Sequence, residues 1–385
     1  MTQHPACELT GVIGTRLADP DTAPAGRRAQ AWWSQSLAHG IPGIALLHIE
    51  LAAAGLAPWQ RARDWLTAAT RTPVTSGADS HPSYGAPALA HALACASGQL
   101  PGSCQRGLDA LDRQIVIDTR RRLAAAQTRI DRGNLPALAE FDALQGLTGY
   151  GAYLLRRDHS GAVYAVLEYL VRLTDSLTIG GETLPGWWTL SGPSGRADDR
   201  FPGGHANNGL AHGISGVLSL LSLAARRGIT VHGQHGAIRA ICRWLDRWRA
   251  GTVAGPAWPY WVTRAELRTG GLIPPAAQRP SWCYGTAGMA RAQQLAALAL
   301  GDTGRQLLAE HALIRALTDP AQLAATTDIS LCHGFAGLAH VTARCGRRPC
   351  ADRRRVARPA PRPAQRRPPS GRRPGTRRHG APDRS

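Results

Sequence analysis

One short pattern returns six times along this chain: a glycine, two residues, a second small residue, then an apolar run of helical length. It reads Gly40-Ile-Pro-Gly43, Gly85-Ala-Pro-Ala88, Gly146-Leu-Thr-Gly149, Gly213-Ile-Ser-Gly216, Gly285-Thr-Ala-Gly288 and Gly334-Phe-Ala-Gly337. A single Gly-x-x-Gly marks little more than a turn before a helix. Six copies at irregular intervals of 45 to 72 residues, each opening a similar run, mark one unit repeated with loop insertions. Runs such as Val217 to Ala225 are apolar on nearly every side, as a buried helix requires. The stretches between copies are one-sided. Ala237 to Trp248 puts Ile238, Ile241, Leu245 and Trp248 on one face and Arg239, Arg243 and Arg247 elsewhere. Buried inner helices alternating with amphipathic outer ones predict an all-α fold, an α/α toroid. Runs of Val and Ile are scarce, which argues against a strand-rich alternative. The glycines are expected where inner helix ends approach closely and a side chain would clash.

The chain has 385 residues, 43% of them hydrophobic, enough for a large core. The expected organisation is an N-terminal segment over 1–29, the toroid over 30–345 and an Arg/Pro-rich tail over 346–385. The tail lacks the apolar residues to build a core and is expected to be disordered. From Arg347 to Arg384 it holds fourteen Arg against two Asp, so it carries +12 of the net +19 and leaves the body +7. That body has no basic stripe with interleaved aromatics, and nucleic acid is not an expected partner. The helix begun at Gly337 runs straight into this tail and no seventh repeat follows. The toroid is therefore expected to lack its last helix pair, through an altered or truncated end. That would expose apolar faces of the first and last pairs and impair the protein. No window is apolar enough to span a membrane and no secretory signal is legible at the start, so a cytoplasmic location is expected. The eight cysteines then read as free thiols or metal ligands rather than disulfides.

Three of the chemically able residues sit immediately before repeat glycines. Cys283 lies in Trp282-Cys283-Tyr284-Gly285, and Cys332 and His333 lie in Leu331-Cys332-His333-Gly334. In a ring, equivalent turns are neighbours on one rim. Two thiolates and an imidazole then converge as a zinc ligand set. Adjacent Cys and His point apart on a regular strand, but an irregular turn can bring both to one ion. No fourth ligand occupies an equivalent position. Cys345 falls about three turns down its helix. Three ligands leave an open position, as in a catalytic site. Two thiolates, a neutral imidazole and Zn²⁺ sum to zero charge. Such a site is a weak Lewis acid for hydrolysis and is better suited to activating an incoming sulfur.

His212, in Ala211-His212-Gly213, occupies the same rim position one repeat earlier and could act as a general acid or a further ligand. His39 has the same local setting but lies farther away in sequence and reads as structural. Arg279, four residues before Cys283, could bring positive charge to the rim. Asp142, four residues before Gly146, could orient a His or Arg.

The stretches Leu210-Ala-His-Gly-Ile-Ser-Gly-Val-Leu, Ser281-Trp-Cys-Tyr-Gly-Thr-Ala-Gly-Met-Ala and Leu331-Cys-His-Gly-Phe-Ala-Gly-Leu-Ala resemble the lanthionine synthetase C-like (LanC) cyclase family over roughly residues 30 to 343. This resemblance implies a toroid of seven helix pairs and a single zinc. It implies an enzyme that closes thioether rings by adding peptide Cys thiolates to dehydroalanine or dehydrobutyrine in a ribosomally made precursor. Family zinc ligands carry over to Cys283, Cys332 and His333, and the catalytic histidine to His212. Arg279 and Asp142 match a family Arg and Asp. The implied partners are a dehydrated precursor peptide, a separate dehydratase and, peripherally, a membrane-bound export complex. No dehydratase-sized segment precedes the repeats, which fits a stand-alone cyclase. Two other readings use the same zinc site: a toroid adding small thiols such as glutathione to electrophiles, and a zinc-holding scaffold without catalysis.

Overall fold

The apolar run after each repeat glycine is a helix in the computed structural model, which describes residues 5–22, 31–252, 255–272 and 278–346. After a leading helix α1 (Pro5–Arg16), inner helices alternate with outer helices that return over them. The pairs begin with α2 (Ile41–Ala53) and α3 (Trp59–Ala68), then α4 (Ala86–Gln99) and α5 (Gln105–Asp131). A short α6 (Leu138–Phe141) precedes α7 (Leu147–Arg156) and α8 (Ser160–Arg172), followed by α9 (Ile214–Arg226) and α10 (Gln234–Arg247). Next come α11 (Arg264–Thr269), the pair α12 (Thr286–Leu300) and α13 (Thr303–Thr318), the short α14 (Pro320–Ala324) and a sixth inner helix, α15 (Phe335–Gly346). Neighbouring inner helices pack on one another, α2 on α4, α7 on α9, α9 on α12 and α12 on α15. The result is an all-α fold, an α/α toroid. Among the described residues it holds five inner–outer pairs and α15.

Among the described residues, seven short strands lie in the insertions between repeats. Strands β1 (Leu177–Ile179) and β2 (Glu182–Leu184) form one hairpin. Strand β3 (Trp188–Thr189) pairs with β4 (His205–Asn207), β5 (Ala250–Thr252) pairs with β6 (Gly255–Ala257), and β7 (Trp261–Thr263) joins β4. The three-stranded antiparallel sheet β3–β4–β7 sets Thr189, His205 and Thr263 in register, and Asn207 opposite Trp261. It brings Tyr260 and Trp261 to the rim that carries the repeat turns.

The core lies between the two helical layers. On α10 the predicted apolar face is fully inside: Ile238, Ile241 and Leu245 are buried together with Trp248, while Arg239, Arg243 and Arg247 are exposed. Helix α9 buries Val217, Leu218, Leu220 and Leu221. Removing each such side chain from water contributes about 1.5–3 kcal/mol.

The repeat glycines make room for their own turns, and Gly149 also for the neighbouring one, where a Cβ would lie 2.7 Å from Pro82 Cγ. A Cβ on Gly288 would lie 1.9 Å from the Trp282 carbonyl oxygen. The second glycine of four other copies meets the carbonyl six residues earlier at 2.1–2.5 Å. The turn folds back beneath the first turn of the helix, and only glycine leaves room for it. This folding also serves the helix termini, whose first N–H groups lack intrahelical partners. The Gly288 and Gly337 N–H groups donate to the carbonyls of Ser281 and Ser330, each at 3.2 Å.

The last inner helix differs from the others. Only Gly337, Leu338 and Val341 of α15 are buried, and Ile329, Leu331 and Phe335 around its start are exposed. The expected disordered tail over 346–385 and its charge fall, beyond Gly346, outside the described residues, as does most of the proposed N-terminal segment's junction with the toroid. Among the described residues no helix is long and apolar enough to cross a membrane.

Candidate metal centre and its neighbours

Backbone hydrogen bonds stitch the repeat turns to one another along one rim. The Leu37 N–H donates to the Ser83 carbonyl (3.0 Å) and the Ala143 N–H to the Ala211 carbonyl (3.0 Å). The Leu210 and Ala211 N–H groups donate to the Cys283 carbonyl (2.8 and 3.2 Å), and the Cys283 N–H donates to the Cys332 carbonyl (3.2 Å). The residues just before four repeat glycines are thereby fixed relative to one another by main chain. Side chains at equivalent positions become neighbours although 49 to 72 residues separate successive glycines.

Cys283, Cys332 and His333 converge as the sequence predicts. One donor atom from each lies within 4.8 Å of the other two, and no other such group of Cys, His, Asp or Glu occurs among the described residues. Cys283 is buried and the other two are half-buried. The neighbouring Cys332 thiol lowers the pKa of Cys283 well below the usual thiol range. The Ser281 hydroxyl, 3.5 Å from the Cys283 sulfur, and the positive charge of Arg279 act in the same direction. Cys332 moves the opposite way, because its own ionisation would set a second negative charge beside the first. Two sulfurs and an imidazole, three soft or borderline donors, suit a divalent cation such as zinc. Cys345 does not belong to this group; burial raises its pKa. His39 stacks on Trp33, with ring centroids 4.6 Å apart.

His212 and Asp142 meet across two repeats. The imidazole Nδ1 and the Asp142 Oδ2 are 2.6 Å apart. The other carboxylate oxygen accepts the N–H groups of Leu144, Gln145 and Gly146 at 3.1, 2.6 and 2.9 Å. The carboxylate is thus fixed by the start of α7, and it holds the ring with Nε2 as the nitrogen it does not engage. The turn-to-turn bonds between Ala211 and Cys283 place this pair beside the cysteines.

Arg279 is half-buried, and its charge bears on Cys283, Cys332 and Asp328. Its carbonyl accepts the Tyr260 hydroxyl at 3.2 Å and the Ser281 N–H at 2.9 Å, which fixes the backbone that carries it.

Three neighbours were not singled out by the sequence, although Tyr284 stands within the Trp282-Cys283-Tyr284-Gly285 motif. Tyr284 lies with its ring centroid 6.1 Å from that of His212 and its hydroxyl 3.4 Å from the Asn207 amide. Burial pushes its pKa up to about 12, so it remains a phenol. Asp328 lies 3.3 Å from His333 Nε2. Asn207, Arg279 and Asp328 each stand six residues before a repeat glycine, and superposing the turns rather than the motifs would have singled them out.

Comparison with known proteins bears on this arrangement. A family profile described as "Lanthionine synthetase C-like protein" matches residues 31–348. The chain is similar to the nisin biosynthesis protein NisC of Lactococcus lactis subsp. lactis, 26% identical over 251 residues. That match takes in 61% of this chain and 54% of the relative, so the chain spans about half the length of the curated protein it matches. Among solved structures it is similar to a nisin cyclase, with a TM-score of 0.69 at 21% identity, covering 87% of this chain and 80% of the other. At that identity the likeness shows the fold.

Proposed function

The chain belongs to the lanthionine synthetase C-like family, and from that premise we propose that it is a zinc-dependent cyclase forming lanthionine and methyllanthionine rings in a dehydrated precursor peptide. The observation that carries the proposal is the convergence of Cys283, Cys332 and His333 beside the Asp142–His212 pair.

Cys283, Cys332 and His333 would hold the zinc. When bound, the ion supplies an open coordination position that lowers the pKa of an incoming peptide thiol and keeps its sulfur nucleophilic. The chain's own residues account for the rest of the reaction. As sulfur bonds to the β-carbon of the dehydro residue, the double-bond electrons move onto the neighbouring carbonyl. Arg279 offers positive charge to that developing enolate. His212, held by Asp142 through Nδ1, takes up at Nε2 the proton released by the peptide thiol and delivers it to the α-carbon. The net change is addition of S–H across a double bond, with no redox step. A separate dehydratase would supply the substrate. Peripheral association with a membrane-bound export complex and a cytoplasmic setting belong to the same proposal and rest on the family alone.

The test combines metal analysis with ring closure on a dehydrated peptide, followed as loss of alkylatable thiol because cyclisation leaves mass unchanged. Wild-type protein is expected to hold one zinc and Cys283→Ala to lose it together with activity. Equal zinc in both proteins would refute the site. Undiminished ring closure by His212→Ala would favour a scaffold instead.

A further inference from the structure

The fourth, fifth and sixth repeat turns share a position six residues before the glycine, filled by Asn207, Arg279 and Asp328. Each lies directly under its glycine. A Cβ on Gly213 would meet the Asn207 carbonyl at 2.4 Å, one on Gly285 the Arg279 carbonyl at 2.4 Å, and one on Gly334 the Asp328 Oδ1 at 2.3 Å. In the fourth turn the Asn207 Oδ1 accepts the Gly209 N–H at 3.0 Å. In the sixth the Asp328 Oδ1 accepts the equivalent Ser330 N–H at 2.8 Å, while its carbonyl accepts the Phe335 N–H at 3.0 Å. Main chain thus fixes the Asp328 carboxylate by one oxygen. The other oxygen lies 3.3 Å from His333 Nε2.

We propose that Asp328 is a positioning residue for His333, clamping Nε2 so that Nδ1 is the nitrogen turned toward Cys283 and Cys332. The inference rests on the metal site proposed above. A metal-binding imidazole needs a bare lone pair on the ligating nitrogen and a proton on the other. A carboxylate at Nε2 selects that tautomer and also raises ligand basicity. The His333 N–H donates to the Ser330 hydroxyl at 3.2 Å, so backbone and ring are anchored to the same turn.

The repeat itself provides the discriminating substitution. Asn207 shows that an asparagine makes the same turn, so Asp328→Asn keeps the fold of the turn. It replaces the accepting oxygen with an N–H donor aimed at Nε2, which forces the proton onto Nδ1 and blocks the ligand. Asp328→Ala removes both the clamp and the turn bond but leaves the ring free to choose its tautomer. The measurement is zinc affinity of the full-length protein by competition with a chromophoric chelator, with cobalt(II) spectra reporting thiolate ligation. Asp328→Asn is expected to weaken zinc binding about 10–100-fold, at least as much as Asp328→Ala, with thiolate-to-cobalt absorption retained at saturating metal. Asparagine at wild-type affinity beside a weakened alanine would mean that Asp328 only shapes the turn, and overturns the proposal. So does an unchanged affinity in both variants. A wild type without zinc, or with zinc unaffected by Cys283→Ala, overturns the metal site and this inference together.

Discussion

Of the three histidines that stand immediately before repeat glycines, His212 and His333 are each held by an aspartate, and they are held by opposite nitrogens. Asp142 engages Nδ1 of His212 at 2.6 Å, and Asp328 engages Nε2 of His333 at 3.3 Å. The first carboxylate comes from an earlier repeat and is 1% exposed; the second comes from the histidine's own turn and is 36% exposed. In the function proposed above, the same clamp would prescribe different work. It would leave Nε2 of His212 to carry the proton of the reaction. It would leave Nδ1 of His333 to serve as a ligand at the last described turn. Position in the repeat makes the two residues equivalent, and the site of the carboxylate separates their roles.

The strongest way to break this comparison is to exchange the effects of its two aspartates. Asp142→Asn is expected to lower the turnover of ring closure by about 10²–10⁴-fold, because it removes the carboxylate charge that balances the ring while it carries the proton. Its zinc content should match wild type, and loss of zinc in this variant would show that the two clamps do not act separately. A second contrast concerns burial. Leu218, fully buried in α9, should cost about 2–5 kcal/mol on change to Ala in denaturant unfolding. Leu331, 70% exposed beside the metal turn, should change stability by no more than about 0.5 kcal/mol. A large cost at Leu331 would mean that the edge is covered in solution.

A further contrast comes from a histidine without a carboxylate clamp. His205 is fully buried, with Nδ1 2.9 Å from the Ser191 carbonyl, and burial lowers its pKa from 6.5 to about 4 against the opposing effect of that carbonyl. Between those values the unfolded chain binds the proton and the folded chain does not, so stability falls as the pH falls. The loss amounts to at most about 3 kcal/mol. Thermal melts of His205→Gln between pH 7 and 4 should show a shallower decline than wild type. Parallel declines would assign the acid sensitivity to other groups.

Much of this molecule is legible in the sequence, and the unread part has a physical reason. The six glycine turns and the apolar runs after them foretell the inner helices, because close backbone contact admits only glycine and a buried helix must be apolar all round. The face of α10 is readable from period alone. Cys283, Cys332 and His333 are readable because equivalent repeat positions become neighbours. The sheet β3–β4–β7 is not, since two- and three-residue strands inside long insertions have no period to detect. The partnership of Asp142 with His212 spans 70 residues and depends on a carboxylate turned by three main-chain N–H groups. Asp328 escapes because its importance lies in folding back under Gly334, a contact that composition and motif do not encode.

Zinc-edge X-ray absorption on the purified full-length protein addresses the central claim most directly. Two sulfur neighbours at about 2.3 Å and at least one imidazole nitrogen at about 2.0 Å, with one sulfur missing in Cys332→Ala, are the predicted result. A shell made only of nitrogen and oxygen, or one unchanged by that substitution, would contradict it.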